Sequence, residues 1–355
     1  MSARRVAWLL AAGVMVIAVA IWLSSQRHLE RATLAGDLVL PGLEPSVNAV
    51  TQVVLRKGDG TQATIKRNNT SWSVGERGWP ADVSKVRKLL LALGALNVVE
   101  EKTRLAANYP SLGVEDVTSP KAAGTRVDVS APGRTWTLIV GKSSNAKSGY
   151  VRVASAAQSL LAAPLLAVDA DPKSWLEHSL VDIAGERVRQ VEEHPAPGAA
   201  FSVSRAKKDD AHFGVSPLPK GRELNGPGAA DGIPAALSAL TLDDAHKVSG
   251  PSDPHAARAV FHTFDGLELE VSGRKDGTRS LISLNARGNT AEAHTEADKI
   301  NARVGGWEFD VPEYRYTAIF TPLEELMKKP PEPPAKPSAA AKSKAPQAPP
   351  LPAPH

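Results

Sequence analysis

The sequence contains no cysteine. Disulfide staples, thiolate nucleophiles, iron–sulfur clusters, thiolate zinc sites and lipid attachment through a cysteine are therefore excluded, and stability has to come from packing. Sequence support for catalysis is equally thin. No G-x-S-x-G elbow is present, and the serines stand in loops without a spaced His and Asp set. A phosphate loop is missing as well: Gly141-Lys142-Ser143-Ser144 mimics its end, but the glycine needed five positions earlier is Trp136, and a loop rather than a helix follows over Asn145–Gly149. The nine histidines are scattered, with no i, i+4 pair beside a glutamate. His255, His262 and His294 are the one set that could converge, with His262 on an expected strand, 257–263. Asp209-Asp210 and Asp243-Asp244 read as solvated loops or caps. No catalytic residue, metal site, nucleotide site or other cofactor is expected.

The body of the chain has no excess of charge of one sign. The formal net charge is +4, and residues 328–355 hold five lysines against Glu332, which accounts for all of it. With both signs mixed over the rest there is no basic face of the kind phosphate binding needs, so nucleic acid is excluded as an expected partner. The tail from 329 to 355 is built of proline, alanine and lysine with almost no large apolar side chains, a composition that favours disorder with polyproline II character.

What the sequence does have is an uninterrupted apolar run from Val6 to Leu23, preceded by Arg4 and Arg5. Its 18 residues reach ~27 Å as a helix, close to the ~30 Å hydrocarbon core of a bilayer. Ala18 and Ala20 form an A-x-A pattern, so a cleaved signal peptide is the rival reading. Apolar character continues through Ile21, Trp22 and Leu23, however, and Trp22 stands where an interfacial aromatic belongs. A single uncleaved anchor over residues 1–28 fits better, with a cytoplasmic N-terminus and the rest of the chain outside.

Beyond the anchor, short alternating runs dominate. Val50–Leu55, Gln62–Lys66 and Trp72–Val74 read as strands, the first two parted by Gly58-Asp59-Gly60. Asp82 can cap a helix whose Val86, Leu89, Leu90 and Leu93 recur at helical spacing before Gly94. A strand over Asn97–Glu101 and a short helix ending near Leu112 follow. Strands then resume at Thr125–Ser130, Thr135–Val140 and Tyr150–Ala154, with Pro132-Gly133 as a turn. This order recurs weakly: Val188–Arg205 parallels Val50–Arg67, Gly232–Leu242 parallels the helix that opens near Asp82, and Ala257–Arg274 parallels Thr125–Lys142. The expected fold is α+β: a single N-terminal transmembrane helix, then two related units of mostly antiparallel sheet with one main helix each, at 29–180 and 181–328, then the tail at 329–355.

Taken in order, Ser71-Trp72-Ser73-Val74, Gly78-Trp79-Pro80-Ala81-Asp82, Tyr109-Pro110-Ser111-Leu112-Gly113, Pro120, Thr137–Lys142, Tyr150-Val151-Arg152 and Trp175-Leu176 give a pattern that resembles the DUF4340 family over roughly residues 45–320, with Gly306-Trp307 to Tyr314 similar to its closing strand. The segment Ala206–Gly228 departs from the commonest pattern. The resemblance implies no established chemistry. It implies a non-enzymatic, periplasmic auxiliary or scaffolding subunit on the inner membrane, single-pass, beside the permease and companion membrane subunit of a gliding-motility-type ABC export system. A binding module for an envelope glycan or peptide is the alternative. Of Trp72, Trp79, Trp136, Trp175 and Trp307, most are expected in the core; Trp79, before Pro80, is either a hydrophobic staple over the helix start or a contact for a partner.

Membrane extraction tests the anchor. The full-length protein is expected to stay with membranes through alkaline carbonate, with Ile21 internal to the mature chain by mass spectrometry. A mature N-terminus at Ile21 would leave a soluble protein instead.

Overall fold

The computed structural model describes residues 35–248, 253 and 256–329. The run Val6–Leu23, His255 and the tail from residue 330 onward lie outside them. Among the described residues no helix is long and apolar enough to cross a membrane. The chain divides between His178 and Ser179 into two compact units, both mainly antiparallel sheet with a few helices.

In unit 1, β1 (Gln52–Lys57), β2 (Gln62–Asn68), β3 (Ser71–Val74) and β4 (Trp79–Pro80) lead into α1 (Val83–Gly94), β5 (Asn97–Glu101) and the short α2 (Tyr109–Leu112). β6 (Thr125–Ala131), β7 (Arg134–Ser143), β8 (Gly149–Val153) and β9 (Ser159–Ala163) complete a nine-stranded sheet in the order β4-β3-β2-β1-β6-β7-β8-β9-β5. Alternation sets the register. Val127 and Val129 of β6 are buried while Arg126 and Asp128, which alternate with them, are half-exposed, and a slip of one residue would reverse the two sets. α1 starts where the sequence places it, because the Asp82 carboxylate accepts from the N–H groups of Ser84 at 2.9 Å and Lys85 at 3.0 Å. Its Val86, Leu89, Leu90 and Leu93 are buried. α2 stops at Gly113, whose φ of 71° is a left-handed conformation that favours glycine.

Unit 2 contains β10 (Ser179–Val181), β11 (Val188–His194), β12 (Phe201–Ser204), β13 (Gly214–Ser216), β14 (Leu240–Thr241) and β15 (Asp244–Lys247). Then come β16 (Ala257–Thr263), β17 (Leu267–Asp276), β18 (Arg279–Gly288), α3 (Ala291–Val304), β19 (Trp307–Val311), α4 (Glu313–Ile319) and α5 (Leu323–Leu326). Eight of the strands form one antiparallel sheet, β13-β12-β11-β16-β17-β18-β19-β15, while β10 pairs with β14. With β11, β12 and β13 read for β1, β2 and β3, β16 to β19 for β6 to β9, and β15 for β5, this is the unit 1 order without β4. The registers correspond too. Val53 faces Ile65 on β2 and Val129 on β6, and Val191 faces Val203 on β12 and Phe261 on β16. The two hairpins that follow differ by one residue: Pro132-Gly133 joins β6 to β7, whereas Phe264-Asp265-Gly266 joins β16 to β17.

The helix expected over Gly232–Leu242 is absent. That segment runs as consecutive turns, with the N–H groups of Ile233, Ala236 and Ser238 each bonded to the carbonyl three residues back. Pro234 has no N–H to extend a helix, and Ala239 turns left-handed at φ 46° before β14. The main helix of unit 2 is α3, which lies along β18. Its Thr290 cap accepts from Ala293 N–H, and it buries only Ala293, Ala297 and Val304. Such small residues seat the helix close: a Cβ on Gly288 would come within 2.1 Å of the His294 nitrogen. Arg187 fastens this corner, donating to both Glu296 oxygens at 2.9 and 2.7 Å and to Asp265 at 2.9 Å. Those hydrogen bonds, the Glu296 pair foremost, raise its pKa.

Candidate functional site

The family-like motifs of unit 1 gather at two places, and at both their polar groups are bonded to the fold. At the first, Gly78–Asp82 is clasped between β3 and the chain around Trp175. Ala81 N–H donates to the Trp72 carbonyl, Asp82 N–H to that of Trp175, and Glu177 N–H to that of Pro80, each at 2.9 Å. The Trp79 indole N–H donates to the Glu177 carbonyl at 2.9 Å, and that of Trp175 to the Asp169 carbonyl at 2.7 Å. Both rings are fully buried, and Lys85 Nζ sits 4.9 Å from the centre of the Trp175 ring. Burial of the Asp82 carboxyl works against its charge, but the hydrogen bonds from Ser84 and Lys85 outweigh that and lower its pKa. Trp79 therefore fills the interior, and the rim position a partner contact requires is not where the structure places it. Trp72, Trp136 and Trp307 are buried as well.

At the second place, Arg152 pins α2 and its exit to the sheet. Its Nε donates to the Val114 carbonyl at 2.9 Å, Nη1 to those of Ala154 and Ala156 at 3.2 Å, and Nη2 to the Asp116 carboxylate at 2.7 Å. The guanidinium lies 4.7 Å from the centre of the Tyr109 ring, whose hydroxyl donates to the Ala157 carbonyl. Lys142, in the run that mimics a phosphate loop, donates to the carbonyls of Pro110 at 3.3 Å and Ser111 at 3.1 Å. It serves the end of a helix, where a cation is favoured.

The described histidines are engaged separately. His262 stands 3.4 Å from a Glu192 oxygen and 3.6 Å from Glu268, while His294 is exposed and 3.5 Å from Asp298 one helical turn along. Among the described residues no group of three or more His, Asp or Glu side chains is arranged to hold a metal ion. Of the acidic pairs, Asp243-Asp244 departs from the solvated reading. Asp244 is buried on β15, with its carboxylate accepting from Ala245 N–H at 2.9 Å, although it stands opposite Asp310 on the other face from the pair Ala245 and Phe309.

One ionisable group went unnoticed in the sequence. Glu193 on β11 is fully buried, and both carboxyl oxygens lack a hydrogen-bond partner. It faces Phe201 on β12 and Ala259 on β16, as Leu55 faces Ala63 and Val127 in unit 1. A carboxyl thus occupies a leucine's place, and burial pushes its pKa up to about 9. The signal was available, since the parallel between Val188–Arg205 and Val50–Arg67 aligns Glu193 with Leu55. A hollow of about 260 Å³ lies past the end of β11, among Pro195, Pro197, Ala257, Tyr316 and Phe320.

The larger concave feature is a cleft of about 550 Å³ in unit 1, at the end of β8, bordered by Pro41, Arg126, Arg134, Thr135, Trp136 and Ser155. Arg126 is held by Asp128, 3.0 Å from Nε, and Asp128 also accepts from the Thr137 hydroxyl at 2.6 Å. Arg134 stacks 4.7 Å from the centre of the Trp136 ring, and both side chains donate to the Pro41 carbonyl, at 2.8 and 3.1 Å. Two guanidinium groups, an indole edge and hydroxyls suit an anionic or hydrogen-bonding ligand.

The model of a domain of unknown function, DUF4340, matches residues 72–258, over half the chain, from β3 to the start of β16. The chain belongs to the DUF4340 family. No curated protein and no solved structure matches it. The match takes in both clasps, so the DUF4340 motifs of this chain are residues that hold unit 1 together.

Replacing Trp79 tests this. Trp79→Ala is expected to destabilise the protein by roughly 3–5 kcal/mol, as large aromatic truncations in cores do, with a comparable loss for Trp175→Ala in chemical denaturation. An unchanged midpoint for Trp79→Ala would return that ring to the surface.

Glu193 gives a pH signature. Its folded pKa of about 9 lies above the ordinary value of 4.5, so the folded state holds a proton that the unfolded chain releases. The stability this group allows is fully present below about 4.5 and is lost as pH rises through about 9, at up to ~1.4 kcal/mol per pH unit. Glu193→Leu is expected to flatten that decline and to raise the melting temperature at pH 8 more than at pH 5. An unchanged slope would mean the carboxyl finds a partner or water.

Proposed function

We propose that this DUF4340 chain is a non-enzymatic, membrane-anchored periplasmic protein: an auxiliary or scaffolding subunit of an ABC-type export system, held once in the inner membrane and presenting two related sheet units to the permease and its companion membrane subunit. The observation that carries the reading is the use of the motif residues. Trp79, Asp82, Tyr109, Arg152 and Trp175 all engage backbone or buried rings, which fits a family selected for a presented shape rather than for a reaction. The apolar run Val6–Leu23 supports an anchor, and near-neutral charge over the body supports protein partners over nucleic acid.

The second reading, a binding module for an envelope glycan or peptide, draws on the cleft beside Arg126 and Arg134, since the paired cations and the Trp136 edge are groups that orient polar ligands.

Co-purification separates the two. Full-length protein tagged at its C-terminus and extracted in mild detergent is expected to bring down a permease and its ATPase in near-equal amounts. Recovery of the chain alone, while the transporter assembles without it, would overturn the scaffolding reading.

A further inference from the structure

The cleft in unit 1 lies where a strand is missing. In unit 2, β17 and β18 pair along their whole length, from Leu267 opposite Gly288 to Asp276 opposite Arg279. In unit 1, β7 is as long as β17, but β8 lies opposite only Leu138–Ser143. The last rung is the bond from Ala154 N–H to the Thr137 carbonyl, at 3.0 Å, and the turn from Ala156 N–H to the Val153 carbonyl then carries the chain away. That rung fixes the parity of β7: Thr137 directs its peptide groups to the β8 side, and so does Thr135, two residues on. Thr135 is exposed, and no β8 residue stands opposite it. The place that Ala286–Gly288 of β18 fills in unit 2, beyond the counterpart of Ala154, is in unit 1 the cleft of about 550 Å³.

We propose that this gap is a docking site for a short extended segment of a partner protein that carries acidic side chains and adds as a strand to the free edge of β7. The peptide groups of Thr135 supply main-chain hydrogen bonds, as in other β-augmentation sites. Charge selects the sign of the occupant. Among the described residues the charged side chains that border the cleft are Arg126, whose Nε is paired with Asp128, and Arg134, which has no carboxylate partner. The excess charge is therefore positive, and guanidinium groups bind carboxylates in bidentate fashion. The chain's own tail is the wrong occupant, because its lysines repel these groups and its prolines lack the N–H that strand addition needs. The inference rests on the reading of the chain as a presenting scaffold and names the surface through which it would engage a partner.

The test uses the full-length protein in detergent and three fluorescent hexapeptides: alternating glutamate and valine, alternating lysine and valine, and the glutamate peptide with proline in its middle. The glutamate peptide is expected to bind saturably and the other two weakly. Arg126→Gln with Arg134→Gln is expected to weaken binding about tenfold, the loss that one or two charge-assisted hydrogen bonds produce. Arg134 also braces Pro41, so Thr135→Pro provides the second variant. It removes one N–H on the open side and leaves both arginines and the main-chain ladder to β6 in place, losing besides only the exposed hydroxyl contact of Thr135 with Ser130 at 3.2 Å, and should weaken binding with the melting temperature nearly held.

Equal binding of the lysine peptide, or full binding by both variants, would overturn the site. So would saturable binding that tolerates the central proline, which would mark a charge patch with no strand addition. The transporter subunits recovered in the same preparations separate this outcome from the scaffolding reading. Peptide binding without those subunits would keep the cleft and discard the transporter, whereas subunits recovered alike by wild type and variants, with no peptide binding, would do the reverse.

Discussion

The route of α1 constrains unit 1 more than any single contact. The chain leaves the sheet at β4, on one edge, and returns at β5, on the other, with nine strands between and including them. Eight interstrand spacings of ~4.8 Å would set the edges of a flat sheet ~38 Å apart. The connection has α1, 12 residues long, which spans ~18 Å, and two residues on either side that add at most ~13 Å. It cannot bridge a flat sheet. The sheet therefore curls until its edges come within reach, and the leucines of α1 are the apolar filling such a curl requires. Fixing both ends of α1 becomes the condition for the rest: the Asp82 cap and the Trp79 clasp hold one end, and the seating of Gly94 against the turn Glu44–Ala49 holds the other.

Unit 2 shows what happens when that constraint is lifted. Between Ser216 at the end of β13 and Asp244 at the start of β15 the chain has 27 residues, which could extend over ~90 Å, so the edges need not be drawn together by a helix. The corresponding segment relaxes into turns, and α3 joins from elsewhere in the chain, between β18 and β19. The same strand order is thus compatible with two different arrangements of helix, and the sheet is the feature the units share.

What could be read in the sequence follows from how local the cause is. Strands with one buried face, the Asp82 cap and the Pro132-Gly133 turn declare themselves within a few residues, and each stands where expected. α3 was missed because its buried stripe is Ala293 and Ala297, small side chains that give little apolar periodicity yet let the helix lie close over Gly288. Glu193 lies on the inward face of its strand by alternation, whereas the burial of Asp244 beside an equally buried Ala245 does not follow from the period of β15 and has no local signal. The open edge at Thr135 could not be read at all. It depends on where β8 stops relative to β7, and that is visible only when the two hairpins are compared.

That comparison also bears on how a repeated scaffold acquires distinct roles. A β17–β18 hairpin paired to its end leaves no main-chain donor exposed on that side, and α3 then packs against it. Shortening the equivalent of β18 to the five residues of β8 exposes peptide groups that would otherwise invite non-specific pairing. In unit 1 this opening is flanked by Arg126 and Arg134, and like charge on an edge is a standard protection against self-association, because a second copy would bring the same charges. The arginines thus do two jobs with one property: they refuse an identical edge and accept an acidic one. A fully paired hairpin can do neither, and the difference between the units is therefore one of available surface, with the core pattern beneath it unchanged.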